Sequence, residues 1–183
     1  MDQQVLFLRA IRILEQVGIP YMVTGSFAVN FYGIPRTTHD IDFVVEIRAS
    51  DAERFVGAFP RDFYADEDMV RQAIASQAMF NVIDPASGVK IGFWIVKPNP
   101  FDQERFRRRR EQTIFGERVF MPTPEDTIIS KLLWYQEAQT DKHLNDARGV
   151  WEIQKDTLDK EYLNRWVSRL GLAAEFERLK GTQ

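Results

Sequence analysis

Two prolines, Pro122 and Pro124, divide this chain of 183 residues into parts with different periodicity. Ahead of them, helical and strand patterns alternate. Val5, Leu8, Ile11, Leu14 and Val17, widened by Leu6 and Ile13, keep helical spacing, and Gly18 and Pro20 end that helix. Residues 21–24 read as a short buried strand and 26–32 as a helix with Gly25 or Ser26 at its N-cap. Gly33-Ile34-Pro35 stops it. Residues 40–46 read as a second strand, 49–59 as a helix capped by Ser50 or Asp51, and 66–75 as a further helix. Strands over 78–83 and 89–96 form a hairpin across Asp84-Pro85-Ala86-Ser87-Gly88. A basic helix is predicted over 101–110, then over 113–120 a strand pair or an edge strand, with a turn at Phe115-Gly116-Glu117. Beyond Pro124 every pattern is helical: 125–139, 144–155, 159–169 and 172–179. Mixed elements followed by helices predict an α+β protein. Its core, residues 1–123, is a mixed β-sheet flanked by helices, and residues 124–183 form a helical C-terminal region packed on that core.

The chemistry concentrates around the second strand. Thr24-Gly25-Ser26 follows the apolar run Tyr21-Met22-Val23, and Asp40-Ile41-Asp42 precedes Phe43-Val44-Val45. Alternate strand residues share a face, so Asp40 and Asp42 project together while Ile41 points to a core. Adjacent carboxylates repel unless a cation neutralises them. Mg²⁺ suits such hard oxygen ligands and completes its shell with water and substrate phosphates. Gly-Ser at a strand-to-helix turn lets backbone N–H groups reach a phosphate at the helix N-terminus. A Gly turn with a Ser N-cap satisfies the same residues structurally.

The Gly-Ser…Asp-x-Asp arrangement resembles the nucleotidyltransferase superfamily built on the DNA-polymerase-β-like fold. The likeness is strongest to minimal bacterial members similar to AbiEii-like and MenT-like toxins. Val89-Lys90-Ile91, Pro124-Glu125-Asp126, Lys131 and Asp146 extend it over roughly residues 5–155. The resemblance implies that Asp40 and Asp42 bind Mg²⁺ or Mn²⁺ and that Gly25 and Ser26 grip a nucleoside triphosphate such as ATP. It implies that Lys131 contacts the triphosphate and that Asp146 orients Lys131 or activates the acceptor, with Asp141 a weaker substitute. The implied reaction is transfer of a nucleoside monophosphate to RNA, protein or a small molecule, in a toxin paired with an antitoxin protein. From periodicity alone, Lys131 reads as a solvated lysine beside the apolar face of Ile128, Ile129, Leu132 and Leu133. Asp146 can equally be an N-cap or a helix-surface partner of Lys142. Many members of the wider superfamily carry a third acid on a later strand, where this chain has Gly92. That leaves three alternatives: Asp146 or Asp84 in its place, an acceptor needing little activation, or nucleotide binding without turnover.

Arg36 and Thr38 stand just ahead of the aspartates as candidate nucleotide contacts. A guanidinium there can meet a phosphate, clamp Asp40 or Asp42, or pair with another carboxylate. His39 alternates with Asp40 and is expected to face away. Arg107, Arg108, Arg109 and Arg110 form the densest positive charge, either an RNA contact or a solvated helix face paired with Asp102, Glu104 and Glu111. Trp134, Tyr135, Trp151, Tyr162 and Trp166 read as helix–helix core rather than a base-stacking surface. With no cysteine, thiolate metal sites and cysteine nucleophiles are excluded. A net charge of −3 argues against coating nucleic acid in bulk. The start of the chain lacks a signal-peptide pattern and no apolar run can cross a bilayer, so the expectation is a cytoplasmic protein without a membrane partner.

Overall fold

The computed structural model describes residues 3–181. They separate into two compact units. The first comprises the chain up to Gly25 together with Thr38–Met121, and the second Ser26–Thr37 together with the chain from Pro122 onward.

The first unit is built on a four-stranded sheet in the order β1-β2-β4-β3. Its strands are β1 (Tyr21–Val23), β2 (Ile41–Val45), β3 (Met79–Ile83) and β4 (Lys90–Ile95). Strands β2 and β4 run parallel, and the other two pairings are antiparallel, so the sheet is mixed. Helix α1 (Gln3–Gln16) precedes β1. A 3₁₀ turn over Ala49–Asp51 leads into α3 (Ala52–Gly57), and α4 (Glu67–Ser76) precedes β3. Helix α5 (Pro100–Arg107) is followed by the separate hairpin β5 (Arg110–Ile114) and β6 (Glu117–Met121).

Strand alternation gives this sheet two different faces. On one, Phe43, Phe93 and Phe80 lie side by side in register. Their rings stack at centroid distances of 5.7 Å for Phe43–Phe93 and 5.2 Å for Phe80–Phe93. Phe7 of α1 stacks on Phe43 at 5.9 Å, and Phe55 of α3 meets Phe93 edge-on at 5.2 Å. All five rings are fully buried, each contributing about 1.5–3 kcal/mol from burial. The opposite face carries Met22, Val44 and Trp94, packed with Phe106 of α5 and Val96. Asp42 and Gly92 share it, directly across the parallel ladder.

The second unit holds α2 from Ser26 to Tyr32, and α6 (Pro124–Ala138), α7 (Asp141–Gln154), α8 (Lys160–Arg169) and α9 (Ala173–Lys180). Thr123 caps α6, its Oγ1 accepting from Asp126 N at 3.2 Å, and Pro124 takes the first helical position, where no N–H is needed. Residues after α2 lie against α7 through glycine on both sides. A Cβ on Gly33 would stand 2.7 Å from Val150 N, and one on Gly149 would stand 3.3 Å from Ile34 N. Tyr32 Oη donates to the Pro122 carbonyl at 2.7 Å, and Gln154 Nε2 donates to the Tyr32 carbonyl at 2.9 Å.

The structure moves several expected boundaries. Asp40 precedes β2 rather than beginning it, because the ladder to β4 opens at Ile41↔Ile91. The basic helix stops at Arg107, and Arg110 already belongs to β5. The expected helix over 49–59 opens as a 3₁₀ turn, with Asp51 accepting from Arg48 N at 3.1 Å. Among the described residues, no helix is long and apolar enough to cross a membrane.

Candidate active site

In the first unit, the β1–α2 connection and β2 lie against each other. Thr24 N donates to the Asp42 carbonyl at 2.9 Å. Gly25 follows with φ of +65°, a conformation that costs other L-residues. A Cβ at Gly25 would also overlap Asp42 Oδ2, so only glycine admits the carboxylate this close to the turn. The other oxygen, Oδ1, accepts from Trp94 Nε1 at 3.3 Å and faces Gly92, where a Cβ would stand only 2.7 Å away. Asp42 is thus half-buried and bounded by Gly25, Gly92 and Trp94. Asp40 is exposed, with its N–H donating to Thr38 Oγ1 at 3.3 Å, and His39 is exposed too.

In the second unit, four polar side chains converge. Arg36 donates to Asp146 through Nε at 2.7 Å and Nη2 at 2.9 Å, and Nη2 also donates to Ser26 Oγ at 2.7 Å. Lys131 Nζ, on α6, pairs with Asp146 Oδ2 at 2.9 Å and lies 4.6 Å from the centroid of the Trp134 ring. Asn30 fixes the backbone of Arg36 on both sides, accepting from its N–H at 3.0 Å and donating to its carbonyl at 2.8 Å. Lys131 is 3 % exposed, against the solvated position that periodicity suggests. Helix α6 is buried on nearly every side, from Glu125 through Leu132, so no polar face remains to mark.

Burial pushes the Lys131 ammonium below the ordinary lysine value, although Asp146 counteracts it. Burial alone would raise Asp146. The Arg36 hydrogen bonds and the Lys131 charge outweigh it and hold that carboxyl below the usual range. Asp146 thus bonds two cations at once, Arg36 and Lys131.

The other candidates fall elsewhere. Asp84 is engaged in the β3–β4 turn, accepting from Ser87 Oγ at 2.6 Å and Ala86 N at 3.2 Å. Asp141 begins α7 and is exposed. The arginine run does not share one face. Arg107 and Arg110 are exposed, whereas the Arg109 guanidinium lies 4.2 Å from the Phe106 ring centroid and 5.3 Å from that of Phe120. Trp151 meets Phe176 edge-on at 5.4 Å, and Tyr162 donates to Asp126 Oδ1 at 2.6 Å, both packing roles.

Trp94, Asn30 and Trp134 were not singled out for the site by the sequence. Trp94 reaches Asp42 in the first unit, and Asn30 reaches Arg36 and Trp134 lies by Lys131 in the second, through geometry that no local motif encodes.

The donor chemistry fits a hard divalent cation. Asp40 and Asp42 offer oxygen only, and Gly25 leaves a cradle beside Oδ2 that a Cβ would fill. Among the described residues, no group of three or more potential ligands is assembled. Mg²⁺ does not need one, since it commonly takes one or two carboxylates.

No protein-family model and no curated protein matches the chain. Solved structures do. An antigenic nucleotidyltransferase-like protein from Paracoccidioides brasiliensis aligns over 99 % of this chain and 92 % of its own, with 17 % identity and a TM-score of 0.56. The antibiotic-resistance factor ANT(2″)-Ia in complex with adenylyl-2″-tobramycin aligns over 97 % of this chain and 99 % of its own, with 13 % identity and a TM-score of 0.60. A solution structure of ANT(2″)-Ia aligns over 99 % and 97 %, with 13 % identity and a TM-score of 0.56. The chain has the nucleotidyltransferase fold.

Proposed function

We propose that this protein is a Mg²⁺-dependent nucleotidyltransferase that transfers a nucleoside monophosphate from a nucleoside triphosphate to an acceptor, releasing pyrophosphate. One observation carries the reading. The carboxylate of Asp42 rests against Gly25, the first residue of α2 and part of a turn suited to binding phosphate.

Asp40 and Asp42 hold the cation. When bound, it neutralises charge on the phosphates. Gly25 N–H and the Ser26 hydroxyl donate to phosphate oxygens. Ser26 Oγ accepts from Arg36, which leaves the hydroxyl hydrogen to donate. Lys131 and Arg36 supply positive charge, and Asp146 keeps both oriented. Thr38 supports the segment leading to Asp40. Such a site works by positioning and electrostatics, which supply most of the catalysis in phosphoryl transfer.

RNA is the first acceptor to test, supported by the toxin-like sequence resemblance and the exposed Arg107 and Arg110. The complex of ANT(2″)-Ia with adenylyl-2″-tobramycin makes an aminoglycoside the second. A toxin role, restrained by an antitoxin protein, predicts growth arrest on expression of the wild-type chain and none with Asp42→Ala.

The experiment is pyrophosphate release from each ribonucleoside triphosphate with Mg²⁺ or Mn²⁺, with total RNA, tobramycin or no acceptor added. Metal-dependent release lost in Asp40→Ala and Asp42→Ala supports the enzyme. Metal-dependent nucleotide binding without release under every condition indicates a binding module instead, a reading that Gly92 favours.

A further inference from the structure

We infer that Trp94 is a positioning residue for Asp42, its indole N–H holding the carboxylate in one orientation. The inference rests on the reading of Asp42 as a metal ligand. The Trp94 indole N–H occupies Oδ1 at 3.3 Å, and Gly92 leaves that oxygen room that any side chain would take. Oδ2 lies beside Gly25, where no Cβ intrudes. The two oxygens therefore have different surroundings: Oδ1 accepts from the Trp94 indole, and Oδ2 stands beside the Gly25 backbone.

Trp94 is itself held. It pairs with Val44 across the ladder to β2 and with Met79 across the ladder to β3, and it packs on Met22, Val44 and Phe106. An indole restrained on that face cannot follow a rotating carboxylate, so the N–H selects one Asp42 rotamer. This restraint suits a small cation that demands near-ideal octahedral geometry. Outer partners of this kind commonly govern metal affinity.

Gly92 then has a positive role. It shares the sheet face of Asp42 and Trp94, and it is the position where a Cβ would stand 2.7 Å from Oδ1.

The test uses the full chain and calorimetric titration of Mn²⁺ in the presence of α,β-methylene-ATP. Trp94→Phe keeps a ring and removes the donor, and Gly92→Ala keeps the donor and crowds Oδ1. Each is expected to weaken Mn²⁺ binding about 10-fold or more. Asp42→Asn sets the scale. If Asp42→Asn abolishes binding while Trp94→Phe and Gly92→Ala bind as the wild type does, the positioning role is overturned and the ligand assignment survives. If Asp42→Asn binds as the wild type does, the ligand assignment fails and the positioning role with it.

Should Trp94→Phe fail to fold, the wild-type indole ¹⁵N–¹H resonance of Trp94 supplies the answer. It is assigned by elimination with Trp134→Phe, Trp151→Phe and Trp166→Phe. A shift on adding Mg²⁺ and α,β-methylene-ATP that vanishes in Asp42→Asn supports the inference. A Trp94 resonance unmoved by both Mg²⁺ and Asp42→Asn overturns it.

Discussion

At Gly25 two constraints act on one residue: a left-handed backbone and the carboxylate of Asp42 where a Cβ would be. Gly25→Ala should therefore cost about 1–2 kcal/mol from backbone strain alone, measurable by urea denaturation, and should displace Asp42 as well. Asp146 presents the opposite problem, one carboxylate answering two cations. Asp146→Asn leaves buried Lys131 with no counter-charge, and we expect a loss of about 3–5 kcal/mol at neutral pH. The sign with pH follows from the lowered folded value of Asp146. Its stabilisation is full above about pH 4–5, where an unfolded carboxylate is ionised, and fades as pH falls through the folded value. The stability gap between wild type and Asp146→Asn should accordingly narrow on acidification. A gap that stays constant down to acid pH would contradict the assignment. Lys131 shows why such a cluster is hard to see in a sequence. Its burial comes from a helix covered on nearly all sides, whereas periodicity reports only helices with one wet face.

Among the elements, α6 and β4 contrast in what a sequence discloses. The start of α6 is legible because its capping chemistry is local: Thr123 accepts from Asp126 N and Pro124 sits in the first turn. Thr123→Ala should cost about 1 kcal/mol by thermal or chemical denaturation. Strand β4 is legible as a strand from its apolar run and as the hairpin partner of β3, but its pairing with β2 is not. Nothing local says that Gly92 faces Asp42 or that Phe93 meets Phe43. These pairings come from a parallel ladder between distant segments. Phe93→Ala removes the middle ring of that stack and should cost about 3–5 kcal/mol. The one-residue displacement of Asp40 has the same origin, since pairing with β4 starts β2 at Ile41, opposite Ile91.

For the whole molecule, the important fact is that residues 26–37 group with the chain after Pro122. The mixed-then-helical order was readable from periodicity, but this exchange was not, because it depends on contacts such as Arg36 to Asp146 and Tyr32 to Pro122. A chain shortened to residues 1–121 would lose the partners of Tyr32, Gly33 and Arg36. We expect it to show less helix by circular dichroism than deletion of α6–α9 alone accounts for, and to be cleaved by protease within 26–37. Helicity equal to that of the remaining helices, with 26–37 protected, would show the segment to be independent of the helices after Pro122.

The same arrangement sets a timetable for synthesis. Arg36 and Asp146 are 110 positions apart, and translation at about 5–20 residues per second spreads their emergence over roughly 6–20 seconds. Through that interval α2 has left the ribosome with Val29 and Tyr32 uncovered, though both end buried. Lys131 likewise appears before its counter-charge. The nascent chain is thus most exposed to chaperones and proteases just before its last helices arrive, and slowing translation past Pro122 would lengthen that vulnerable window.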